Sequence, residues 1–170
     1  MMVSLFTITS SYAVTFTTWG GAWTEAQIAA YGNKAEKELG MKINWVDYSG
    51  GLAEIKAQIE AGDIRWDILD ALSSDTIVGC DEGIFLEINF DEIFPPAPDG
   101  TPASKELLVD MPNKCAIPNT LYTWNYAYNE TTIPGGVGPT TIQDFFDTEK
   151  FPGRRSIHHG AMTNLEMALV

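Results

Sequence analysis

The sequence predicts an α/β fold built on a parallel sheet, and two observations carry that expectation. Runs of β-branched and aromatic residues alternate with helix-period segments three times within residues 14–83, and glycine-rich turns separate them. Repeats of strand, helix and strand at this spacing close as right-handed crossovers, which lays the strands parallel and covers the sheet with helices on both faces.

Taken in order, Val14 to Trp19 reads Val-Thr-Phe-Thr-Thr-Trp and stops at Gly20-Gly21, the pattern of a strand ending in a tight turn. Thr24 with Gln27 three residues on predicts a capping box, after which Ile28, Tyr31, Ala35 and Leu39 recur at helical spacing until Gly40. Lys42 to Tyr48 is the second strand, with Ile43, Trp45, Val46 and Tyr48 as its apolar and aromatic members before Ser49-Gly50-Gly51. The second helix buries Leu52, Ile55 and Ile59 and ends at Gly62. Trp66 to Ala71 forms a short third strand, and Ser74 with Asp75 opens a small helix running toward Gly79 or Gly83.

Residues 89–118 break this rhythm. Pro95, Pro96, Pro98, Pro102, Pro112 and Pro118 are excluded from helix interiors and central strands, so the region is expected to be loop-rich. Leu121 to Tyr128, dense in Tyr and Trp, regains strand character and is the natural crossing between two lobes. The turn-forming run Pro134 to Pro139 follows, and Thr140-Thr141-Ile142-Gln143 starts a helix holding Phe145 and Phe146 that Phe151-Pro152-Gly153 closes. Arg154 to His158 is expected as a short strand and Asn164 to Val170 as the start of a helix. The domain reading is thus a first α/β lobe over 14–121, a crossing strand over 122–130 and the truncated start of a second α/β lobe over 131–170.

Composition narrows the function classes. A chain of 170 residues with 45% hydrophobic and 11% aromatic content buries a core. Ten basic against 23 acidic residues give a net charge of -13, which disfavours nucleic acid and anionic lipid and draws a cationic solute. No stretch reaches the roughly 20 apolar residues of a membrane-spanning helix. Met1 to Ile8 is apolar, and Ser11-Tyr12-Ala13 places small residues where a signal peptidase reads, so residues 1–13 are read as the remnant of a signal peptide, with an ordinary strand over 3–8 as the alternative. Cys80 and Cys115 lie in neither a CxxC pair nor a metal-ligand spacing; export makes them one structural disulfide, and without export they are two buried thiols. No GxSxG, HExxH or P-loop pattern occurs, and adjacent His158 and His159 on a strand point to opposite faces, so neither enzyme, metal nor cofactor is expected.

Several stretches together resemble the periplasmic spermidine/putrescine-type family of ABC-transporter substrate-binding proteins. They are Thr18-Trp19-Gly20-Gly21, Tyr48-Ser49-Gly50-Gly51-Leu52, Trp66-Asp67-Ile68-Leu69, Gly79-Cys80-Asp81-Glu82-Gly83, Ala127-Tyr128-Asn129, the phrase from Phe145 to Arg155, and Asn164 to Leu169. The Phe-Phe-Asp to Pro-Gly-Arg-Arg phrase is the most specific. The resemblance implies a type II periplasmic-binding-protein-like fold, periplasmic location, solute capture in an interlobe cleft and delivery to an ABC permease. Family members are about twice as long, which implies that these residues hold most of the first lobe and only the opening of the second, and that the chain alone binds poorly. An α/β hydrolase-like domain and a sensory module of the same fold are the alternatives.

In open α/β sheets ligands settle beyond the carboxyl ends of the strands, where helix N-termini offer free N–H groups. That rule selects the loops carrying Trp19, Gly20, Ser73, Ser74 and Asp75. By the resemblance, Trp19 occupies the place of an aromatic wall, a contact worth roughly 0.5 to 2 kcal/mol against a cation. Asp75 is the candidate carboxylate, Tyr122 and Trp124 contribute from the crossing strand, and His159 lines the pocket. Each has a structural alternative: Trp19 covering the sheet, Asp75 a helix N-terminal charge, and the Tyr and Trp residues filling a core. Polyamine binders of the family carry acidic residues where this chain has His158 to Thr163, which leaves a smaller amine or an amino-acid derivative open beside a polyamine.

Overall fold

The structure, a computed structural model, describes residues 13–169. The expected leader, apart from Ala13, lies outside the described residues. The chain divides between Asn119 and Thr120 into two compact units.

The first unit is built on three parallel strands, β1 (Ala13–Thr18), β2 (Lys42–Asp47) and β3 (Ile68–Leu69), in the order β2-β1-β3. The register pairs Thr18 with Asp47 and Thr17 with Leu69. Because β1 is central, Thr17 and Thr18 are fully buried. Side chains alternate between faces, so Phe16, Thr18, Trp45 and Asp47 share one face. There Phe16 stacks on Trp45 at 4.8 Å, and Tyr31 closes the cluster at 6.2 and 6.4 Å.

β3 is shorter than the Trp66 to Ala71 run because Asp67 diverts the ladder. Its carboxylate takes the Thr15 N–H at 2.7 Å, while its own N–H donates to the Thr15 carbonyl at 3.1 Å.

The first helical segment also departs from expectation. It begins as α1 (Gly21–Gln27), continues through a π turn (Ile28–Gly32) and ends as α2 (Asn33–Leu39). Thr24 and Gln27 are not a capping box. Both are buried and face the sheet, where Thr24 Oγ1 donates to Asp47 Oδ1 at 3.2 Å, because strand-end carboxylates compete for these side chains. Within the π turn Gly32 lies against Trp45; a Cβ there would stand 2.7 Å from the indole. Gly40, at φ 64, terminates the helix as its left-handed cap.

α3 (Ala53–Ala61) ends at Gly62 as expected, with Ile55 buried. Ile59 is 39% exposed, and Gln58 takes the inner position instead, accepting the Arg65 N–H at 2.9 Å. α4 (Ser73–Asp81) starts after Leu72 and runs through Gly79, which packs beneath Phe85. Cys80 of α4 is disulfide-bonded to Cys115, their Cα atoms 5.7 Å apart, and Asn113 donates to Thr76 at 3.0 Å. The proline-rich stretch contains α5 (Phe90–Ile93) and a 3-10 turn (Ala103–Lys105).

The second unit has no strand among its described residues. Segment 122–130, expected as a crossing strand, and Arg154 to His158, expected as a short one, carry no ladder. Aromatic composition favours strands, but a strand exists only where a neighbour takes its N–H and C=O groups. α6 (Ile142–Phe146) is capped by Thr141, whose Oγ1 accepts the Asp144 N–H at 3.1 Å. Arg155 donates to the carbonyls of Phe145, Asp147, Phe151 and Gly153, which gives the Pro-Gly-Arg-Arg phrase its structural role. α7 (Asn164–Ala168) follows. Among the described residues no helix is long and apolar enough to cross a membrane.

Candidate functional site

The loops leaving the carboxyl ends of β1, β2 and β3 lie at one end of the sheet, as parallel pairing requires. Trp19 follows β1 and is half-buried. Its ring stands 5.0 Å from that of Tyr48, the residue after β2. Gly50 allows the indole to lie against the backbone: a Cβ there would meet Trp19 at 3.0 Å, and φ is 89°, a conformation that favours glycine. Trp19 is therefore neither an exposed flap nor a cover over the sheet centre. It stands at the strand tips, backed by a tyrosine and a glycine turn.

Tyr48 is fixed from two further directions. Its hydroxyl donates to the Asp70 carbonyl at 2.7 Å, and its ring meets Trp66 edge-on at 5.8 Å. Burial first, then the carboxylates of Asp75 and Asp70, push the phenol far above its ordinary range, so it stays neutral at any physiological pH.

Gly20 caps α1 at φ 82, with the Asp47 carboxylate so close that a Cβ would stand 2.9 Å from it. Asp75 sits half-buried in the first turn of α4, and its Oδ2 accepts the Gly51 N–H at 3.2 Å, tying the β2–α3 loop to α4. Ser73 and Ser74 are exposed in that first turn and neither caps the helix. The structure thus brings Trp19 together with Tyr48 and Gly50, and Asp75 with Gly51.

Sequence reasoning passed over the polar hub beneath these loops. Asp70, just beyond β3, receives the Trp23 Nε1–H and the Gln27 Nε2–H on Oδ2, both at 2.8 Å. Thr18 Oγ1 lies 2.6 Å from Gln27 Oε1 and 3.2 Å from Asp70 Oδ2; its single proton goes to the nearer oxygen. The available signal was an aspartate directly after the apolar pair Ile68-Leu69. Asp47, Asp70 and Asp75 make no ion pair among the described residues; the ion pairs there join other carboxylates to Lys34, Lys42, Lys56, Arg65, Lys114 and Lys150.

In the second unit Tyr122 and Trp124 are 57% and 50% exposed and meet edge-on at 6.3 Å, so they fill no core. Trp124 also meets His158 at 5.5 Å. His159 is exposed, and it is its neighbour His158 that meets Trp124. Among the described residues no group of His, Cys, Asp and Glu could hold a metal ion.

Comparison with known proteins places this geometry. Residues 28–170 match the family described as bacterial extracellular solute-binding protein. The chain is 31% identical over 160 residues to the gamma-aminobutyric acid-binding protein of Pseudomonas aeruginosa, an alignment covering 94% of this chain and 43% of that protein. The solved structure of an ABC transporter from Rhodopseudomonas palustris aligns with a TM-score of 0.64 at 26% identity, over 92% of this chain and 46% of the other. A structure described as the Atu4243–GABA receptor gives 0.62 at 21% identity, over 93% and 46%, and supports the fold. The chain spans less than half the length of these relatives. The family consists of solute-binding proteins, not enzymes, and the match is to this wider group and not specifically to its spermidine/putrescine-type members. With its parallel sheet and flanking helices, the chain has a periplasmic-binding-protein-like α/β fold and belongs to the bacterial extracellular solute-binding protein family.

Proposed function

We propose that the intact protein is the exported solute-binding component of an ABC importer. It captures a small solute bearing a primary ammonium group and delivers it to a membrane permease. The observation that carries this reading is the Trp19 ring, backed by Tyr48 and Gly50 at the strand tips, with the Asp75 carboxylate, which has no ion-pair partner among the described residues, in the first turn of α4. An indole face and a carboxylate together recognise an ammonium by cation–π attraction and a charge-assisted hydrogen bond. Tyr122, Trp124 and His159 are the further solute contacts of this proposal.

A GABA-type amino acid is the favoured solute, ahead of a polyamine. The 31%-identical relative is named for gamma-aminobutyric acid, and the His158 to Thr163 stretch lacks the carboxylates that a second ammonium would need. Periplasmic location belongs to the same proposal, since a disulfide such as Cys80–Cys115 persists in oxidising compartments.

Titration calorimetry on the intact protein tests the reading. GABA is expected to bind at least about tenfold more tightly than putrescine or spermidine, and Trp19→Ala to weaken it by about 3- to 30-fold. A folded protein that binds none of the three would refute the amine reading.

A further inference from the structure

We infer that Asp70 is a positioning residue of the candidate site, holding the Trp19 and Tyr48 rings in place through the groups it binds. The inference rests on the solute-binding reading above.

Asp70 reaches three groups around Trp19. Thr18, immediately before it, is held in the hub by Gln27 and stands 3.2 Å from the Asp70 carboxylate. Trp23, four residues after it in the first turn of α1, donates its indole N–H to the same carboxylate oxygen at 2.8 Å. Tyr48, beside it at 5.0 Å, donates to the Asp70 carbonyl at 2.7 Å. One residue therefore ties down the chain on both sides of the Trp19–Gly20 turn and the ring that backs it.

Charge makes this arrangement stiff. The carboxylate has no cationic partner among the described residues, so neutral donors from Trp23 and Gln27 stabilise it, and hydrogen bonds to an ionised acceptor are the stronger kind. Those donors depend on it in turn. Gln27 is 2% exposed, so its N–H finds no water if the acceptor is lost. An amide at position 70 can point its oxygen at these donors, but it loses the charge that makes their hydrogen bonds strong. Position 70 is then held less firmly by Trp23 and Gln27, and the backbone carbonyl that Tyr48 binds is held less firmly with it.

The test uses the intact protein labelled with fluorotryptophan and followed by fluorine NMR, with Trp19→Phe assigning the Trp19 line. In Asp70→Asn the Trp19 line is expected to shift or broaden and GABA affinity to fall about tenfold. The lines of Trp45, in the same sheet, and of Trp124 are expected to stay in place, which a general loosening of the fold would not allow. Tyr48→Phe removes the hydroxyl and keeps the ring; combined with Asp70→Asn it is expected to cost less affinity than the two separate losses multiplied. Trp23→Phe, a milder change that deletes one donor, is expected to move the Trp19 line in the same direction and covers the case of an Asp70→Asn that does not fold. A Trp19 line unmoved in the folded variants, or losses that multiply, would overturn the inference. A wild-type protein that binds no amine, with the Trp19 line still responding to Asp70→Asn, would instead overturn the solute reading alone.

Discussion

The two units are held together over different distances along the chain. Side-chain hydrogen bonds in the first unit join residues up to 52 positions apart, as Thr15 with Asp67, and 47 apart, as Trp23 with Asp70. In the second, the described ones reach 13 positions at most, between Tyr126 and Pro139. A sheet brings distant segments together and so creates buried positions such as Thr17 and Thr18. Local bonds shape a turn without building an interior, and Arg155 binding four nearby carbonyls is the clearest case. Long-range order is where the candidate site acquires its rigidity, since every contact of Trp19, Tyr48 and Asp75 described above crosses between elements.

The disulfide gives the largest expected separation between the units. Cys80 and Cys115 close a loop with a sequence separation of 35 inside the first unit, and the loop-closure entropy corresponds to about 3 to 4 kcal/mol. Replacing both cysteines by alanine is expected to lower the stability of the first unit by that amount and leave the second unchanged. Hydrogen exchange read separately for α4 and α6 checks it. Equal loss of protection in both would mean that the units do not fold independently, and the contrast would fail.

Two glycines offer a matched insult of smaller size. A Cβ at Gly79 would lie 2.2 Å from the Phe85 ring, and one at Gly138 would lie 2.5 Å from Tyr128. Phe85 is half-buried over α4 and has little room to move, whereas Tyr128 is 48% exposed and can swing into solvent. Gly79→Ala is therefore expected to cost about 2 kcal/mol, and Gly138→Ala less than about 1. Thermal melts of the two variants decide it; equal shifts would show that the second unit is packed as tightly as the first.

The same contrast explains what was legible in the sequence. β1 and β2 were readable within a residue because β-branched and aromatic side chains mark them directly, and Gly40 and Gly62 marked both helix ends. Segment 122–130 has the same composition and no ladder, since residue type expresses a preference and only a neighbour fulfils it. Thr24 and Gln27 fit a capping box in sequence and a sheet-facing pair in space; the deciding fact, Asp47 at the tip of the adjacent strand, is 23 residues away from Thr24. The strand-end rule selected the loops of Trp19, Gly20 and Asp75 without knowledge of the register. Tyr48 and Asp70 emerge as partners only once β2 and β3 flank β1, because the hydroxyl of one meets the carbonyl of the other across the sheet end.

The weakest expected effect sharpens the contrast from the second unit's side. Asp144 accepts from Lys150 Nζ at 2.8 Å and from the Thr140 N–H at 3.2 Å, and these partners, Lys150 foremost, hold its carboxyl down to about 2 from an ordinary 3.8. A carboxyl whose folded pKa lies below its unfolded value binds fewer protons when folded, so its stabilisation is complete above about pH 4 and disappears as pH falls through about 2. Asp144→Asn is expected to remove that acid limb from the protection of α6 and to leave α4 unaffected. Because the pair lies at the surface, added salt should reduce the limb in the wild type. An acid limb that survives in Asp144→Asn would assign it to other carboxylates, and the α6 turn would then owe its order to the Thr141 cap and Arg155 without help from this ion pair.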